Sequence, residues 1–353
     1  MTVNPLNAGT PLWDALPYAA AGPTPPACAP ERARAATPLA DKSSAWFSRS
    51  LPARLLDAAA RLVRAEALAG PSTASHAHAV THLDEHVTPA DSQADATSAP
   101  ASLEIYLLSP FRVFAADRAV EEWPNGKSKA IFKYLATHRS QPVPKEVLMG
   151  VFWPESDQDA ARNNLNVAIY GLRKTLARAD PDRAHVLFRQ GCYSFNPELR
   201  LWIDAEAFVD CVHSGQAAEQ QGDRDTALAA YRLAEAIYRS PLLVEDRYED
   251  WLVPQRQALQ DTCQRLMSRL AAQHFADGAF DACAAVSNRR LDIDPCDEEA
   301  HRLLMRCYSR LGHAHLALRQ YHFCVDALAR ELNLIPSPQT VALSRDIRRR
   351  LAV

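Results

Sequence analysis

The sequence predicts a mostly α-helical, multidomain chain. It has a small β-sheet, three helices and a β-hairpin in the middle, helical hairpins behind them, and a disordered tail in front. Three observations predict this. Strand-like alternation starts at Leu103 and gives way to helical spacing near Lys127. Helical spacing then runs from Asp204 to the C-terminus, punctuated by similar glycine-containing segments. Residues 1–100, by contrast, are rich in Ala, Pro, Ser and Thr, with few aromatics to bury against chain entropy. The expected divisions are 1–100, 101–200 and 201–353.

Within the tail, Leu55, Leu56, Ala59, Leu62 and Val63 recur at helical spacing between Leu51 and Leu68. A short helix that docks on a partner or on the body of the protein is expected there. His76, His78, His82 and His86 lie close together, but with no fold to hold ligand geometry they read as a polar linker rather than a metal site. No metal or cofactor is expected.

Leu103, Ile105 and Leu107 alternate with Glu104 and Tyr106, the period of a half-buried strand. Phe111, Val113 and Ala115 repeat the pattern before a turn at Asp117-Arg118, and Val120 opens a third short strand. A first helix over Lys127–His138 turns Ile131, Tyr134 and Leu135 to one side. Pro144 suits the first turn of a second helix that carries Val147, Leu148, Val151 and Phe152 and closes at Trp153-Pro154. Ser156 with Asp159 reads as the cap of a long third helix, Asp157 to about Arg178, ended by Asp180-Pro181. Val186 and Phe188, then Tyr193 and Phe195, flank Arg189-Gln190-Gly191 as a hairpin. Sheet, three helices and hairpin is the order of a winged helix.

Behind it, Gly222, Gly278 and Gly312 each precede an alanine-rich helical segment. The last two glycines stand 34 residues apart, the tetratricopeptide (TPR) period, and the first gap of 56 calls for a longer helix or an insertion. A TPR-like α-solenoid follows from this spacing. The acidic group Asp292, Asp294, Asp297, Glu298 and Glu299 falls between helices and reads as turn and N-cap residues.

Charge points to the partner. The chain carries a formal −3 overall, yet residues 101–200 hold 14 basic and 11 acidic side chains, the only net basic third. A polyanion is therefore expected there. In the third helix, Leu165, Ile169, Leu172 and Leu176 form a narrow inward stripe. The opposite side presents Asn163, Val167, Tyr170 and Lys174, with Asn166 beside them and Arg162 and Arg173 at the flanks. Asn can both donate to and accept from an adenine edge, Val can meet a thymine methyl, and Lys and Arg neutralise phosphates. Lys127 and Lys129 at the start of the first helix are candidates for phosphates, and Arg189 at the hairpin turn for phosphate or the minor groove. Gly126-Lys127-Ser128 resembles the end of a nucleotide-binding loop, but Glu121 stands where its first glycine belongs.

Other classes fit poorly. No catalytic or cofactor signature appears, so no enzyme is expected. Eight cysteines without a C-x-x-C pair argue against a zinc ribbon and a disulfide framework, and Cys283, Cys307 and Cys324 read as reduced, buried hydrophobes. No stretch of ~18 apolar residues suggests a membrane span, and the N-terminus has no secretory pattern, so a cytoplasmic location is expected. The alternative reading is an interaction scaffold whose winged helix no longer binds DNA.

Three segments carry a family resemblance. They are Lys127-Ser-Lys-Ala-Ile-Phe-Lys-Tyr-Leu-Ala136, Pro144-Lys-Glu-Val-Leu-Met-Gly-Val-Phe-Trp-Pro154 and Ala161-Arg-Asn-Asn-Leu-Asn-Val-Ala-Ile-Tyr-Gly-Leu-Arg-Lys-Thr-Leu176. They resemble the OmpR-like winged helix of SARP-type antibiotic regulatory proteins. Leu291 to Met305, Ala317 to Tyr321 and Glu331 to Pro336 resemble the bacterial transcriptional activator domain that follows it in that family. The resemblance implies sequence-specific binding to double-stranded promoter DNA, usually as dimers, with recruitment of RNA polymerase. The chain departs from the pattern with Tyr170 and Gly171, where basic residues are frequent, and with Cys192, where the wing often has glycine.

Overall fold

The computed structural model describes residues 58, 60–61, 102–124 and 126–349. The histidine group of the tail lies outside them, and so does most of the helix expected over 51–68. Of that helix, Ala58, Ala60 and Arg61 are described, and they are helical.

A four-stranded sheet opens the ordered region: β1 (Leu103–Tyr106), β2 (Arg112–Ala115), β3 (Arg118–Ala119) and β7 (Leu201–Ile203), in the order β3-β2-β1-β7. β2 joins β3 through Ala116 and Asp117, both at positive φ, the two-residue hairpin turn whose twist matches the strands. The turn thus sits one residue earlier than the sequence suggests, and the third strand just precedes Val120. β7, which sequence alone does not mark, runs parallel to β1. β1 is not half-buried. Glu104 and Tyr106, on its expected wet side, are as enclosed as Leu103 and Ile105.

The three helices follow as α1 (Gly126–Thr137), α2 (Lys145–Phe152) and α3 (Gln158–Ala179). Pro144 is not inside α2. It pairs with Cys192 in a short strand, β4 (Val143–Pro144), and stands at the helix N-cap, where its missing N–H costs nothing. Asp157 rather than Ser156 caps α3, accepting from the Ala160 N–H at 2.8 Å. β5 (Val186–Arg189) and β6 (Cys192–Phe195) form the hairpin through Gln190 and Gly191, again both at positive φ, in a sheet ordered β4-β6-β5. This is a winged helix with an N-terminal sheet.

From Asp204 the chain is mostly helical: α4 (Asp204–Gln220), α5 (Arg224–Ile237), a 3₁₀ turn (Asp250–Leu252), α6 (Val253–Ala276), α7 (Phe280–Ile293), α8 (Glu298–Arg310), α9 (Ala314–Leu332) and α10 (Pro338–Arg348). Gly222, Gly278 and Gly312, all at positive φ, turn α4 into α5, α6 into α7 and α8 into α9. The long first spacing is filled by a non-helical stretch before the 3₁₀ turn and by the 24-residue α6.

The chain forms two compact units. The first contains the described residues up to Ser214 together with Ala236–Leu259. In it, Asp204 takes N–H bonds from Leu107 and Leu108 at 2.7 and 2.8 Å. Buried Lys133 reaches Asp246 at 2.5 Å, and Trp251 packs on Tyr134 and His138. The second unit is Gly215–Glu235 with Gln260–Val353. There Asp297 caps α8, Glu298 accepts from Ser337 and Thr340, and Asp297 and Glu299 hold Arg290. Most of the acidic cluster is accordingly structural. Met305, Ala317, Leu343 and Ile347 form the core of the last three helices. Cys283, Cys307 and Cys324 are buried free thiols.

Among the described residues, no helix is long and apolar enough to cross a membrane, and no group of three or more His, Cys, Asp or Glu side chains is placed to hold a metal ion.

Candidate nucleic-acid interface

Two contact surfaces decide how α3 is oriented. Leu165, Ile169, Leu172 and Leu176 are all buried, as the stripe requires. Beside them Ala168, Gly171 and Thr175 make a second, small-residue surface against which the start of α1 packs. Ser128 Oγ donates to the Ala168 carbonyl at 2.8 Å, and Thr175 Oγ1 donates to the Glu122 carbonyl at 3.2 Å. A Cβ at Gly171 would stand 2.8 Å from Pro124 Cγ, so glycine there is the condition of this close approach.

What remains is the outward face. Arg162, Asn163, Asn166, Val167, Tyr170, Arg173 and Lys174 are exposed, together with Asn164. Val167 and Tyr170 keep 64% and 67% of their surface, high values for an apolar and an aromatic side chain. Arg162 pairs with Asp159 at 3.3 Å across one turn. Arg173 Nε donates to the Val186 carbonyl at 3.0 Å, which ties this edge of α3 to the root of the hairpin.

The hairpin carries Arg189 exposed beside its turn. Phe188 next to it is 46% exposed and packs, tilted, against Tyr193 with ring centroids 4.6 Å apart. Strand alternation alone would place Phe188 inside with Val186. It escapes burial because β5 is the edge strand and ends at the turn.

The two lysines of α1 part company, since residues two apart face different sides of a helix. Lys127 is exposed at the end of α2, its ammonium 5.6 Å from the Phe152 ring centre and 6.0 Å from that of Trp153. Lys129 points instead to Glu245 at 3.7 Å and lies over Phe111. It does not join the outward face of α3.

The comparisons with known proteins agree with this architecture. Residues 124–193 match the family described as "Transcriptional regulatory protein, C terminal", and residues 203–348 match "Bacterial transcriptional activator domain". Together these are the two halves of one family, in its order. The chain belongs to the SARP-type transcriptional regulators.

Similar proteins include the Transcriptional regulatory protein MoaR1 of Mycobacterium tuberculosis, 27% identical over 231 residues, which are 64% of this SARP-type chain and 73% of MoaR1. The Transcriptional regulatory protein EmbR of the same organism is 26% identical over 254 residues, 70% of this chain and 63% of EmbR. A solved structure of Mycobacterium tuberculosis EmbR in complex with a low-affinity phosphopeptide shares the fold, with a TM-score of 0.58 at 24% identity over 72% of this chain and 67% of that one. These relatives are transcriptional regulators, and this chain is a DNA-binding transcription regulator built on the same pair of domains.

Proposed function

We propose that this regulator binds promoters in a sequence-specific way and activates transcription. In this reading α3 lies in the major groove with Asn163, Asn166, Val167 and Tyr170 toward base edges. Arg162, Arg173 and Lys174 meet phosphates along its flanks, with Lys127 at the start of α1. Arg189 extends from the hairpin to a phosphate or the minor groove. The C-terminal helical domain meets RNA polymerase or a second copy of the chain, and the protein works in the cytoplasm.

The observation that carries the reading is the composition of the outward face of α3. Amide, apolar and cationic side chains stand exposed on one side of a helix held from behind by a leucine stripe and by α1. Amides lower helix propensity, so their gathering on one exposed face serves something other than folding.

Selection of bound sequences from a random duplex pool by the purified full-length protein tests it. Enrichment of one motif is the expected outcome, and recovery of unbiased sequence removes sequence-specific binding. The exposed apolar groups Val167, Tyr170 and Phe188 favour a second reading, in which this surface docks a protein. Absence of any gel retardation on duplex DNA at ~50 mM salt, where phosphate contacts are strong, would favour that reading instead.

A further inference from the structure

The outer face of the N-terminal sheet buries a carboxylate among aromatic side chains. The register places Glu104 opposite Phe114 on one side and opposite Trp202 on the other, so these three side chains share one face, with Tyr106 and Arg112 in the next row. Leu103, Ile105 and Val113 turn to the other face, toward the core. Alternation of this kind normally leaves the polar side solvated. Here Glu104 and Tyr106 are each only 3% exposed. A carboxylate at that depth requires a partner that returns what desolvation removes.

Arg61 is that partner, and it comes from the tail. Only 8% of its surface is exposed, and its Nη1 forms an ion pair with Glu104 Oε1. Its guanidinium lies 5.6 Å from the centre of the Trp202 ring, and the Tyr106 hydroxyl stands within donating distance of both the Arg61 carbonyl, at 3.4 Å, and Glu104 Oε2, at 3.3 Å. Tyr106 in turn packs against Trp202 and Phe114 at 5.2 and 5.8 Å between ring centres. Arg61 is helical, as are Ala58 and Ala60, and it falls in the segment whose apolar residues recur at helical spacing.

We infer that the outer face of the four-stranded sheet is a docking site for the segment of this chain's own tail that carries Arg61, seated by the Arg61–Glu104 pair over an aromatic floor of Tyr106, Phe114 and Trp202. β1 keeps the alternation of a one-sided strand, so release of Arg61 returns Glu104 to water and leaves the inner core of the sheet untouched. The inference does not depend on how α3 meets DNA.

Amide hydrogen exchange of the full-length protein tests it, followed in peptides covering residues 57–62 and β1. In the wild type both regions are protected, to the same degree at low and high protein concentration. Arg61→Glu opens both, speeding exchange by about tenfold or more. The reversed pair Arg61→Glu with Glu104→Arg restores protection, and α3 exchanges alike in all forms, which shows the winged helix intact. Unchanged exchange in Arg61→Glu overturns the docking. Failure of the reversed pair to restore it overturns the role of the ion pair. Protection that grows with protein concentration overturns docking within one chain in favour of exchange between copies.

Discussion

Asn166 occupies the edge of α3 that faces the hairpin, on the same side as Arg162 and Arg173, and it is exposed. An amide in that position can make a bidentate pair with an adenine, whereas a cation there attracts any phosphate equally. Asn166→Ala is therefore expected to cost ~1–3 kcal/mol on the preferred duplex and almost nothing on random duplex. Fluorescence anisotropy on both duplexes measures the split, and equal losses on the two would assign Asn166 to the backbone instead. Asp204 makes a different kind of prediction. Burial pushes its carboxyl up to about 7, against the pull of the N–H groups of Leu107, Leu108 and Ala205. A carboxyl raised in the folded state holds its proton there more tightly than in the unfolded chain. Its contribution to stability is thus greatest below the unfolded value near 4 and falls as pH rises toward 7. Urea unfolding of wild type and Asp204→Asn across pH 4–8 isolates it: wild type loses stability relative to the variant as pH climbs. His301 runs the opposite way, because burial lowers its pKa and its neutral ring bridges the Pro295 carbonyl and Gln320.

At the scale of elements, glycine in a helix interior is costly unless space demands it. Gly150 in α2 has nothing within 4 Å of where an alanine methyl would stand, so Gly150→Ala should stabilise the winged helix by ~0.5–1 kcal/mol through helix propensity. Gly171 offers no such room, with Pro124 and Ser128 at 2.8 and 3.0 Å. Gly171→Ala gains the same propensity but forces α1 and α3 apart, and a net loss of ~1–3 kcal/mol is expected. Thermal unfolding of the two variants should move in opposite directions, and a stabilised Gly171→Ala would mean that the helices can separate freely. The same contrast explains what was legible in the sequence. The stripe Leu165, Ile169, Leu172 and Leu176 revealed the inward face of α3 because helical period alone determines it. The α1 surface of α3 was hidden, since Ala168, Gly171 and Thr175 are too small to register as hydrophobic pattern. β4 and β7 escaped notice because two or three residues are too few to show a period. Glu104 misled for a non-local reason: the group that buries it stands 43 positions earlier. Lys129 had no local signal either, as its partner Glu245 is far along the chain.

For the whole molecule, the charge balance sets how DNA binding must respond to salt. The chain is acidic overall, at −3, so any affinity for a polyanion has to come from local geometry and not from net charge. The winged helix exposes Lys127, Arg162, Arg173, Lys174 and Arg189, but Arg162 already pairs with Asp159 and Arg173 already donates to Val186. With two of these five already engaged, about three to five phosphate contacts per chain is the expectation, each contributing about −0.9 to the slope of log affinity against log salt. A fourfold rise in salt should then weaken binding on the order of 10²-fold for a single chain, and twice that exponent for a pair bound side by side. Titrations between ~50 and ~200 mM salt measure this. Lys174→Ala should flatten the slope by about one contact and weaken specific and random duplex alike, the reverse of the signature expected for Asn166→Ala. A slope near zero in the wild type would mean that the outward face of α3 does not meet phosphates, and the apolar groups beside it would then define the surface.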